Sequence, residues 1–414
     1  MSLKKFSEIL EGLGCTVAID GKNLNIDIDD NKIKVSVNET WEKAINGYFR
    51  ARQYSFDIGA RALCANRFVE FQVVRLDPSF FPRPEFEFTN KKKDNVTLQH
   101  ASEQYVLAYF CSSLYSDAFY IIKKRINRRC EYHMKRRRTR PSTSRVSVRL
   151  EDILIIPNTA TYSPFRKLKK ENLVSVGRDR IKACLFNLAY VKDESWELRD
   201  EIKSKSISIL ASSKKDDDLE IPSGKYHNDL VGYYKVAKSS LFPGQSFLSY
   251  YHILEYNFLR VADEILFNSI RAQLNRPDFR ATYGNVNKLI SILKKNDNTN
   301  DENEMLKAVL KKHVSEEDFI EFIKDLEKEI GEPLYSKPKD TIFGEKFSIR
   351  LEEGHALSNA SKIVKHIRNA LVHSSDRHNR EDCFMHFTES ESIVLQHIPI
   401  VKFMAERVIF STDS

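Results

Sequence analysis

The sequence predicts an α+β N-terminal region with antiparallel strands, followed by an all-α helical bundle. Three observations support this prediction. Short apolar runs with an alternating pattern, separated by turn residues, occupy the first part of the chain, as in antiparallel strands. A polar stretch at 212–225 follows, and its composition is typical of a linker. Beyond it, apolar residues recur three and four positions apart, which is the period of a helix. We therefore predict two domains, 1–211 and 226–414, joined by this linker.

The first elements are predicted to be a short helix and a small antiparallel meander. The helix should end at Gly14, because apolar residues at helical spacing stop there. An Asp20-Gly21 pair then separates two alternating runs, which is a strong hairpin signal. The residues that define these elements are Leu3, Phe6, Ile9, Leu10 and Leu13 for the helix, and Val17, Ile19, Leu24, Ile26, Ile28, Ile33, Val35 and Val37 for the strands.

The remainder of the first domain has a mixed pattern. Strands are predicted at 68–75, 145–150 and 153–156, where β-branched and aromatic residues concentrate. Helices are predicted at 101–118 and 178–190.

The second domain begins with a conspicuous helical repeat. Apolar residues spaced 4, 3, 4, 3 and 4 apart follow Pro243-Gly244 and predict one long helix: Phe247, Tyr251, Leu254, Phe258, Val261 and Ile265. Further helices are predicted at 286–295, 304–312, 316–330, 355–374 and 389–410. Pro399 is expected to kink the last of these or delay its start.

Composition and motifs exclude several classes of protein. The chain is 41% apolar and 30% charged, and its six cysteines form no CxxC pair, which favours a cytoplasmic protein with free thiols. No secretion signal is recognisable and no apolar run approaches the length of a membrane span, so no membrane association is expected. The sequence contains no GxGxxG, GxxxxGK[ST], GxSxG or HExxH motif. Their absence argues against a dinucleotide enzyme, a P-loop NTPase, an α/β-hydrolase and a zincin.

A dense basic segment at 123–149 carries more positive charge than the net +8 of the whole chain. Such a concentration repels itself, and a polyanion would relieve the repulsion by releasing counterions. We predict that the segment binds nucleic acid, with Tyr132 and His133 as stacking groups; the alternative is a solvated surface. The basic residues are Lys123, Lys124, Arg125, Arg128, Arg129, Lys135, Arg136, Arg137, Arg138, Arg140, Arg145 and Arg149, opposed only by Glu131.

The predicted helix at 355–374 contains the best candidate for a catalytic site. Arg368, Asn369 and His373 avoid its apolar stripe and fall within one arc of its surface. Arginine is the preferred side chain for clamping phosphate, and histidine exchanges protons near neutral pH. The alternative is ordinary helix-end chemistry, in which polar and basic residues complement the macrodipole.

Two neighbouring features bear on this candidate. Glu255 lies on or beside a buried stripe and needs a partner, either His252 one turn earlier or Arg368 or His373 across the bundle. A zinc site is an alternative use of His373, His378, Cys383 and His386, but no second compact pair of ligands follows them. We therefore predict neither a metal nor a cofactor.

The stretch Arg368-Asn369-Ala370-Leu371-Val372-His373 resembles the R-N-x3-H form of the R-x(4–6)-H motif of the HEPN superfamily. HEPN domains are all-helical, and many are metal-independent RNases. The sequences at 233–237 and 247–256 are similar to the leading helices of the ApeA-like branch, found in prokaryotic anti-phage defence. The tail at 398–410 is similar to the closing helix of that branch, so the resemblance covers about 226–412.

The resemblance implies an endoribonuclease in which the ribose 2′-OH attacks the adjacent phosphate, leaving 2′,3′-cyclic phosphate ends. His373 would be the general base or acid, Arg368 would stabilise the phosphorane oxygens, and Asn369 would hold the loop or the imidazole. The expected partners are RNA, with tRNA as one candidate, a phage-derived activator, and a second copy of the chain bound through the C-terminal helices. The resemblance implies that the two motifs of such a dimer face one cleft, where one histidine can serve as base and the other as acid. The alternative is a non-catalytic nucleic-acid- or partner-binding protein that uses the bundle as a dimerisation scaffold.

Overall fold

The structure, a computed structural model, describes residues 2–29, 31–50, 53–77, 85–136, 146–202, 226–298, 302–373 and 383–412, with the side chains of 132–136, 171 and 294–298 excepted. The chain divides into two compact units, Met1–Ile202 and Lys203–Ser414. The predicted linker at 212–225 lies outside the described residues.

The first unit combines two sheets with helices. In chain order its elements are α1 (Ser2–Gly12), β1 (Thr16–Asp20), β2 (Asn23–Ile28), β3 (Asn31–Ser36), α2 (Glu39–Arg50), β4 (Ser55–Asp57), β5 (Ala62–Cys64), β6 (Val69–Arg75), β7 (Phe86–Thr89), β8 (Asn95–His100), α3 (Glu103–Phe110), α4 (Ser113–Arg136), β9 (Val146–Arg149), α5 (Leu150–Ile153), β10 (Asn158–Ser163), α6 (Lys170–Lys192) and β11 (Trp196–Leu198).

The first sheet is the predicted meander with one added strand. Its order is β1-β2-β3-β9, antiparallel except that β9 runs parallel to β3. The Asp20-Gly21 turn forms as the sequence predicts, with Asp20 paired to Asn23 and Gly21 at φ +60°. The inward residues of β2 and β3 and apolar residues of α1 to α4 share one core.

The second sheet has the order β4-β5-β6-β10-β8-β7, and its pairs are antiparallel. Strand β11 pairs with residues 73–75 of β6, beyond those that β5 pairs with. Helix α6 packs on it so closely that Gly177 has room for no side chain: a Cβ there would lie 2.4 Å from Cγ1 of Val69. This sheet and α6 enclose a second core.

Two predictions for the first unit are wrong. The helix predicted at 101–118 is two helices, because at Ser112 both the backbone N–H and the hydroxyl donate to the Tyr109 carbonyl and tighten the turn. The strand predicted at 153–156 is absent: Leu150 and Ile153, three residues apart, are buried on the single turn α5, and the strand β10 follows it.

The second unit is helical around one core. Its elements are α7 (Asn228–Ser239), α8 (Pro243–Glu255), α9 (Phe258–Leu274), α10 (Tyr283–Asn298), α11 (Glu302–His313), α12 (Glu316–Ile330), α13 (Ala356–Val372) and α14 (Ser390–Ser411). Antiparallel sheets in the first unit and helices in the second confirm the predicted fold class.

The long helix predicted after Pro243-Gly244 is interrupted. The buried residue Asn257 separates α8 from α9, with its backbone N–H on the Leu254 carbonyl and its side-chain amide on the Ile253 carbonyl. This short-range bonding interrupts the regular helical hydrogen bonds and ends α8. Pro399, by contrast, lies inside α14 without ending it. No described helix has both the length and the apolar content needed to cross a bilayer.

Candidate active site at the end of helix α13

Helix α13 places the candidate residues by its own amphipathic pattern. Ala360, Val364 and Ile367 are completely buried in the helical core, so the residues that follow them on the opposite side are turned outwards. Arg368 is half-buried, with a side chain 23% exposed, whereas His373 is exposed at the helix end. The backbone N–H of His373 donates to the Asn369 carbonyl at 2.9 Å and closes the last turn.

The guanidinium of Arg368 is held on several sides. Its Nε lies 3.3 Å from Oε1 of Glu302, its Nη2 lies 3.8 Å from Oε1 of Glu255, and its Nη1 donates to Oδ1 of Asn369 at 3.3 Å. Its Cζ is 5.8 Å from the ring centroid of Tyr251. Two carboxylates, an amide and an aromatic ring thus fix the side chain within the patch that the sequence predicts.

A further layer fixes the two carboxylates. The Tyr251 hydroxyl donates to Oε1 of Glu302 at 2.5 Å, and Nδ1 of His252 lies 2.9 Å from Oε2 of Glu255. Burial raises the pKa of the Tyr251 hydroxyl above its ordinary value, and the hydrogen bond to Glu302 raises it further. Tyr251 therefore stays protonated around neutral pH and remains a donor to Glu302. Glu255 contacts both of its alternative partners, His252 and Arg368.

This geometry leaves Arg368 able to bind an anion. A guanidinium has five N–H donors, and the three contacts to Glu302, Glu255 and Asn369 leave donors over for another acceptor. Because its position is already fixed, little side-chain entropy remains to be lost when an anion binds. Arg368 and Asn369 touch directly, as the predicted patch requires, while His373 is joined to them in the structure through the main chain of the last turn.

Sequence reasoning missed Glu302 and the role of Tyr251. Glu302 begins α11, two residues before the helix start that the sequence predicts, in a polar run without an apolar pattern. Tyr251 belongs to the apolar repeat of α8 and is fully buried, so its pattern indicated a core residue. Neither residue carries a local signal that would associate it with Arg368.

The structure divides the basic segment into paired and exposed cations. Up to Arg136 the segment is helical, on α4. Nζ of Lys123 lies 3.2 Å from Oδ1 of Asp29, and Nη1 of Arg129 lies 2.9 Å from Oδ2 of Asp152, so these two charges are partly neutralised. Asp29 and Asp152 both lie outside α4, so the sequence pattern of the basic segment does not predict these ion pairs.

The outward face of α4 combines exposed cations with an aromatic ring. Lys124, Arg125 and Arg128 are exposed, and within the described part of the chain they form no ion pair. Tyr120, 66% exposed, lies one turn before Lys124 on the same face. We call these four residues the basic face of α4. The main chain of Lys135 and Arg136 belongs to α4, and their side chains are not described; Arg137, Arg138, Arg140 and Arg145 lie outside the described residues.

The described residues contain no cluster of side chains that would support the alternative of a zinc site. No group of three or more His, Cys, Asp or Glu side chains there could hold a metal ion. Of the four residues concerned, His378 lies outside the described residues, Cys383 is buried and His386 lies beside Glu391.

Compared with models of protein families, with curated proteins and with solved structures, the chain matches none. The functional argument therefore depends on the geometry of the site and on the motif that it contains.

Proposed function

We propose that the chain is a metal-independent endoribonuclease of the HEPN type, acting in the cytoplasm as an effector of anti-phage defence. One observation carries the proposal: the motif arginine, Arg368, is fixed by Glu255, Glu302 and Asn369 one turn before the exposed His373. A fixed guanidinium and an accessible imidazole about one turn apart at one helix end are groups that phosphodiester cleavage can use. The helical second unit is compatible with the domain type that the motif implies.

The proposed reaction is an internal transesterification of RNA. The ribose 2′-oxygen loses its proton and attacks the adjacent phosphorus, the bond from phosphorus to the 5′-oxygen breaks, and that oxygen takes up a proton. The products are a 2′,3′-cyclic phosphate and a 5′-OH end. Arg368 binds the non-bridging oxygens, whose charge grows in the transition state. His373 transfers a proton, and Asn369 holds Arg368 and the end of the helix.

The proposed assembly is a homodimer through the C-terminal helices. Helix α9 offers a suitable surface, because Phe267 is 76% and Leu274 46% exposed. Asp263 lies one turn before Phe267 and Arg271 one turn after it. If two α9 helices pack antiparallel about Phe267, each Asp263 lies opposite an Arg271 of the other copy. Such self-complementarity is what a twofold interface requires.

In this proposal the basic face of α4 binds RNA, with tRNA as one candidate. Exposed cations contribute counterion release, and Tyr120 can stack on an unpaired base. A phage-derived component is the proposed activator of the RNase.

The test of the catalytic proposal is incubation with total RNA or tRNA in EDTA, with and without phage lysate. The wild type should cut and yield 2′,3′-cyclic phosphate ends, whereas Arg368→Ala and His373→Ala should each cut at least about 100-fold more slowly. His355→Gln, which changes an exposed histidine at the other end of α13, is the control and should cut normally. A wild type that cuts under none of these conditions would leave the non-catalytic dimerisation scaffold as the better proposal.

The test of the basic face is the salt dependence of binding to a single-stranded RNA. Replacing Lys124, Arg125 and Arg128 with Ala should reduce the slope of log K against log salt concentration by about 2, since single strands give about 0.7 per phosphate contact. Replacing Lys123 and Arg129, which face Asp29 and Asp152, should change the slope much less. Equal effects of the two sets would refute the assignment to this face.

A further inference from the structure

Strands β5 and β11 of the second sheet meet at one residue of β6. Strand β5 ends its pairing at Phe71, and β11 begins its own at Val73. Between them, the Gln72 N–H donates to the Arg61 carbonyl at 3.1 Å, and the Gln72 carbonyl accepts from the Arg199 N–H at 2.9 Å. Both arginines thus lie opposite Gln72, and opposite residues of an antiparallel pair have side chains on the same face of the sheet. We call Arg61 and Arg199 the arginine pair.

The two guanidiniums of the arginine pair lie close together. Nη1 of Arg61 donates to Oε1 of Gln72 at 3.1 Å, and Nη1 of Arg199 donates to the Ile202 carbonyl at 3.1 Å. Burial lowers the pKa of Arg199, and the positive charge of Arg61 lowers it further. Burial raises the pKa of the Tyr109 hydroxyl, and the charges of both arginines oppose that rise. Both guanidiniums are therefore near the Tyr109 hydroxyl.

No carboxylate compensates these two positive charges in the described part of the chain. Neither Arg61 nor Arg199 forms an ion pair there. The acid on the same face of β6 is Glu70, but its oxygens already accept from the Ser102 N–H and from the hydroxyls of Ser102 and Thr159. Burial also raises the pKa of Glu70, which disfavours its charged form. Glu70 is thus occupied within the sheet and does not pair with either arginine.

The two acids that follow Arg199 in the chain are bound on the opposite face of the sheet. Asp200 and Glu201 both form ion pairs with Arg178 of α6. Cζ of Arg178 lies 5.3 Å from the ring centroid of Phe71, which belongs to the core under α6. These acids therefore face α6 and leave the arginine pair without a counter-charge.

The arrangement of the arginine pair is costly unless an anion binds it. Both side chains are half-buried, and like charges repel more strongly there than in water. Arg61 is also held at φ +47°, a backbone conformation that costs energy for any residue with a side chain. Each guanidinium has five N–H donors, of which the described contacts use one. Most of the donors are therefore left for another acceptor.

The charge of the arginine pair selects the kind of anion. Two guanidiniums carry two positive charges, and a phosphate monoester carries about −1.5 to −2 at neutral pH. A carboxylate or a phosphodiester carries only one negative charge. Arginine also donates pairs of parallel hydrogen bonds to phosphate oxygens. A dianionic phosphate group is therefore the best match in charge and in hydrogen bonding.

We propose that the arginine pair binds a dianionic phosphate group, either free phosphate or the phosphate monoester of a small molecule. The Gln72 amide and the Tyr109 hydroxyl lie beside it as neutral hydrogen-bonding groups. The proposed site lies entirely within the first unit, and the inference does not depend on the proposed RNase function.

Thermal unfolding of the full chain, followed by tryptophan fluorescence, tests the site, because Trp41 and Trp196 both lie in the first unit. Inorganic phosphate should raise the Tm of this unit in a low-salt buffer, whereas chloride at the same ionic strength should not. AMP should also raise it, and adenosine should not. If AMP acts at a lower concentration than phosphate, the ligand is a monoester; if the two act equally, it is free phosphate.

Arg61→Gln and Arg199→Gln should each raise the half-saturating phosphate concentration at least about 10-fold, since each removes charged hydrogen-bond donors. Without phosphate, neither variant should unfold at a lower Tm than the wild type, because the repulsion within the arginine pair is relieved. A purely structural cation would give a lower Tm and an unchanged response to phosphate. Arg180→Gln, at an exposed arginine of α6, is the matched control and should respond as the wild type does.

Three results would overturn the proposal. Phosphate and chloride could stabilise the wild type equally, which would mean general screening of the positive chain. Arg180→Gln could lose the phosphate response as fully as Arg199→Gln does. An RNA oligonucleotide without a terminal phosphate could displace inorganic phosphate from the wild type, which would assign the arginine pair to the RNA backbone instead.

Discussion

At the scale of single residues, the surroundings of Arg368 combine stability with function. Its guanidinium faces two carboxylates, Glu255 and Glu302, whose side chains are 39% and 23% exposed. Removing a cation from partly buried carboxylates costs free energy of folding as well as any catalytic contact. His373, exposed at the helix end, has no such structural burden in the described contacts. Loss of activity in Arg368→Ala would therefore include a loss of folding stability, whereas loss of activity in His373→Ala would reflect the missing imidazole alone.

Arg368→Ala should lower the free energy of unfolding of the helical unit by about 1–2 kcal/mol, because Glu302 and Glu255 lose their common cation. Adding Glu302→Gln should recover about 1 kcal/mol of this loss, since the carboxylate left unpaired is then neutral. Urea unfolding followed by circular dichroism measures both values. His373→Ala serves as the control and should stay within about 0.5 kcal/mol of the wild type. Strictly additive effects of Arg368→Ala and Glu302→Gln would contradict the coupling.

The buried residue His397 predicts a loss of stability in acid. Its Nδ1 donates to the Ile393 carbonyl at 2.8 Å, and burial lowers its pKa from 6.5 to about 4. Between these two values the unfolded chain binds a proton that the folded chain does not, so stability falls as the pH falls from about 6.5 to about 4. The full loss is on the order of 3 kcal/mol.

Calorimetry at pH 7.5, 6 and 5 measures this loss as a falling Tm for the helical unit. His397→Phe, which keeps a ring beside Tyr335 but cannot be protonated, should show a smaller fall in Tm than the wild type over the same range. His355→Gln should show the wild-type fall. An identical pH dependence in His397→Phe and the wild type would exclude His397 as the cause.

At the scale of elements, local signals explain what the sequence predicted correctly. Helix α12 was predicted at 316–330 and has those bounds, because the Ser315 hydroxyl accepts from the Asp318 N–H and Gly331 ends the helix at φ +83°. The Asp20-Gly21 turn is equally local. The break between α8 and α9 was missed because it depends on the buried residue Asn257. Strand β10 was missed because it is covered by neighbouring strands on both sides, and its sequence, Asn158–Ser163, shows little alternation.

The contact between α6 and the second sheet makes a prediction at this scale. Gly177→Ala should destabilise the first unit by about 1–3 kcal/mol, because the new Cβ would lie 2.4 Å from Cγ1 of Val69 and 3.3 Å from Cδ1 of Tyr162. Gly47→Ala, on α2 of the same unit, is the control: no atom lies within 4 Å of its Cβ. That change should stabilise by about 0.5–1 kcal/mol, as alanine favours a helix. Thermal unfolding followed by tryptophan fluorescence reports on this unit, which contains Trp41 and Trp196. Shifts of the same sign in both variants would be inconsistent with the packing argument.

At the scale of the whole molecule, some residues of the candidate site are brought together by their spacing in the sequence and others by the packing of helices. Arg368 and Asn369 lie on α13 and His373 directly follows it, so their nearness along the chain follows from helical geometry alone. Glu302 and Tyr251 reach Arg368 from two other helices, α11 and α8. Contacts of this kind arise from the packing of the bundle, and no sequence spacing predicts them.

The proposed dimer makes the last prediction. If α9 pairs with its copy about Phe267, Phe267→Asp should convert the dimer to a monomer in analytical ultracentrifugation, because it places two carboxylates at the centre of an apolar contact. Phe186→Asp, at a phenylalanine 74% exposed on the first unit, is the matched control and should leave the dimer intact.

Reversing charges on α9 tests this interface specifically, because it leaves the apolar surface around Phe267 unchanged. Asp263→Arg and Arg271→Asp should each weaken the dimer, since each places like charges opposite one another across the twofold axis. The double variant restores opposite charges at both positions and should recover dimerisation. If none of the three variants changes the dimer, the dimer uses another surface. If the wild type is monomeric at every concentration, α9 is not a dimer interface.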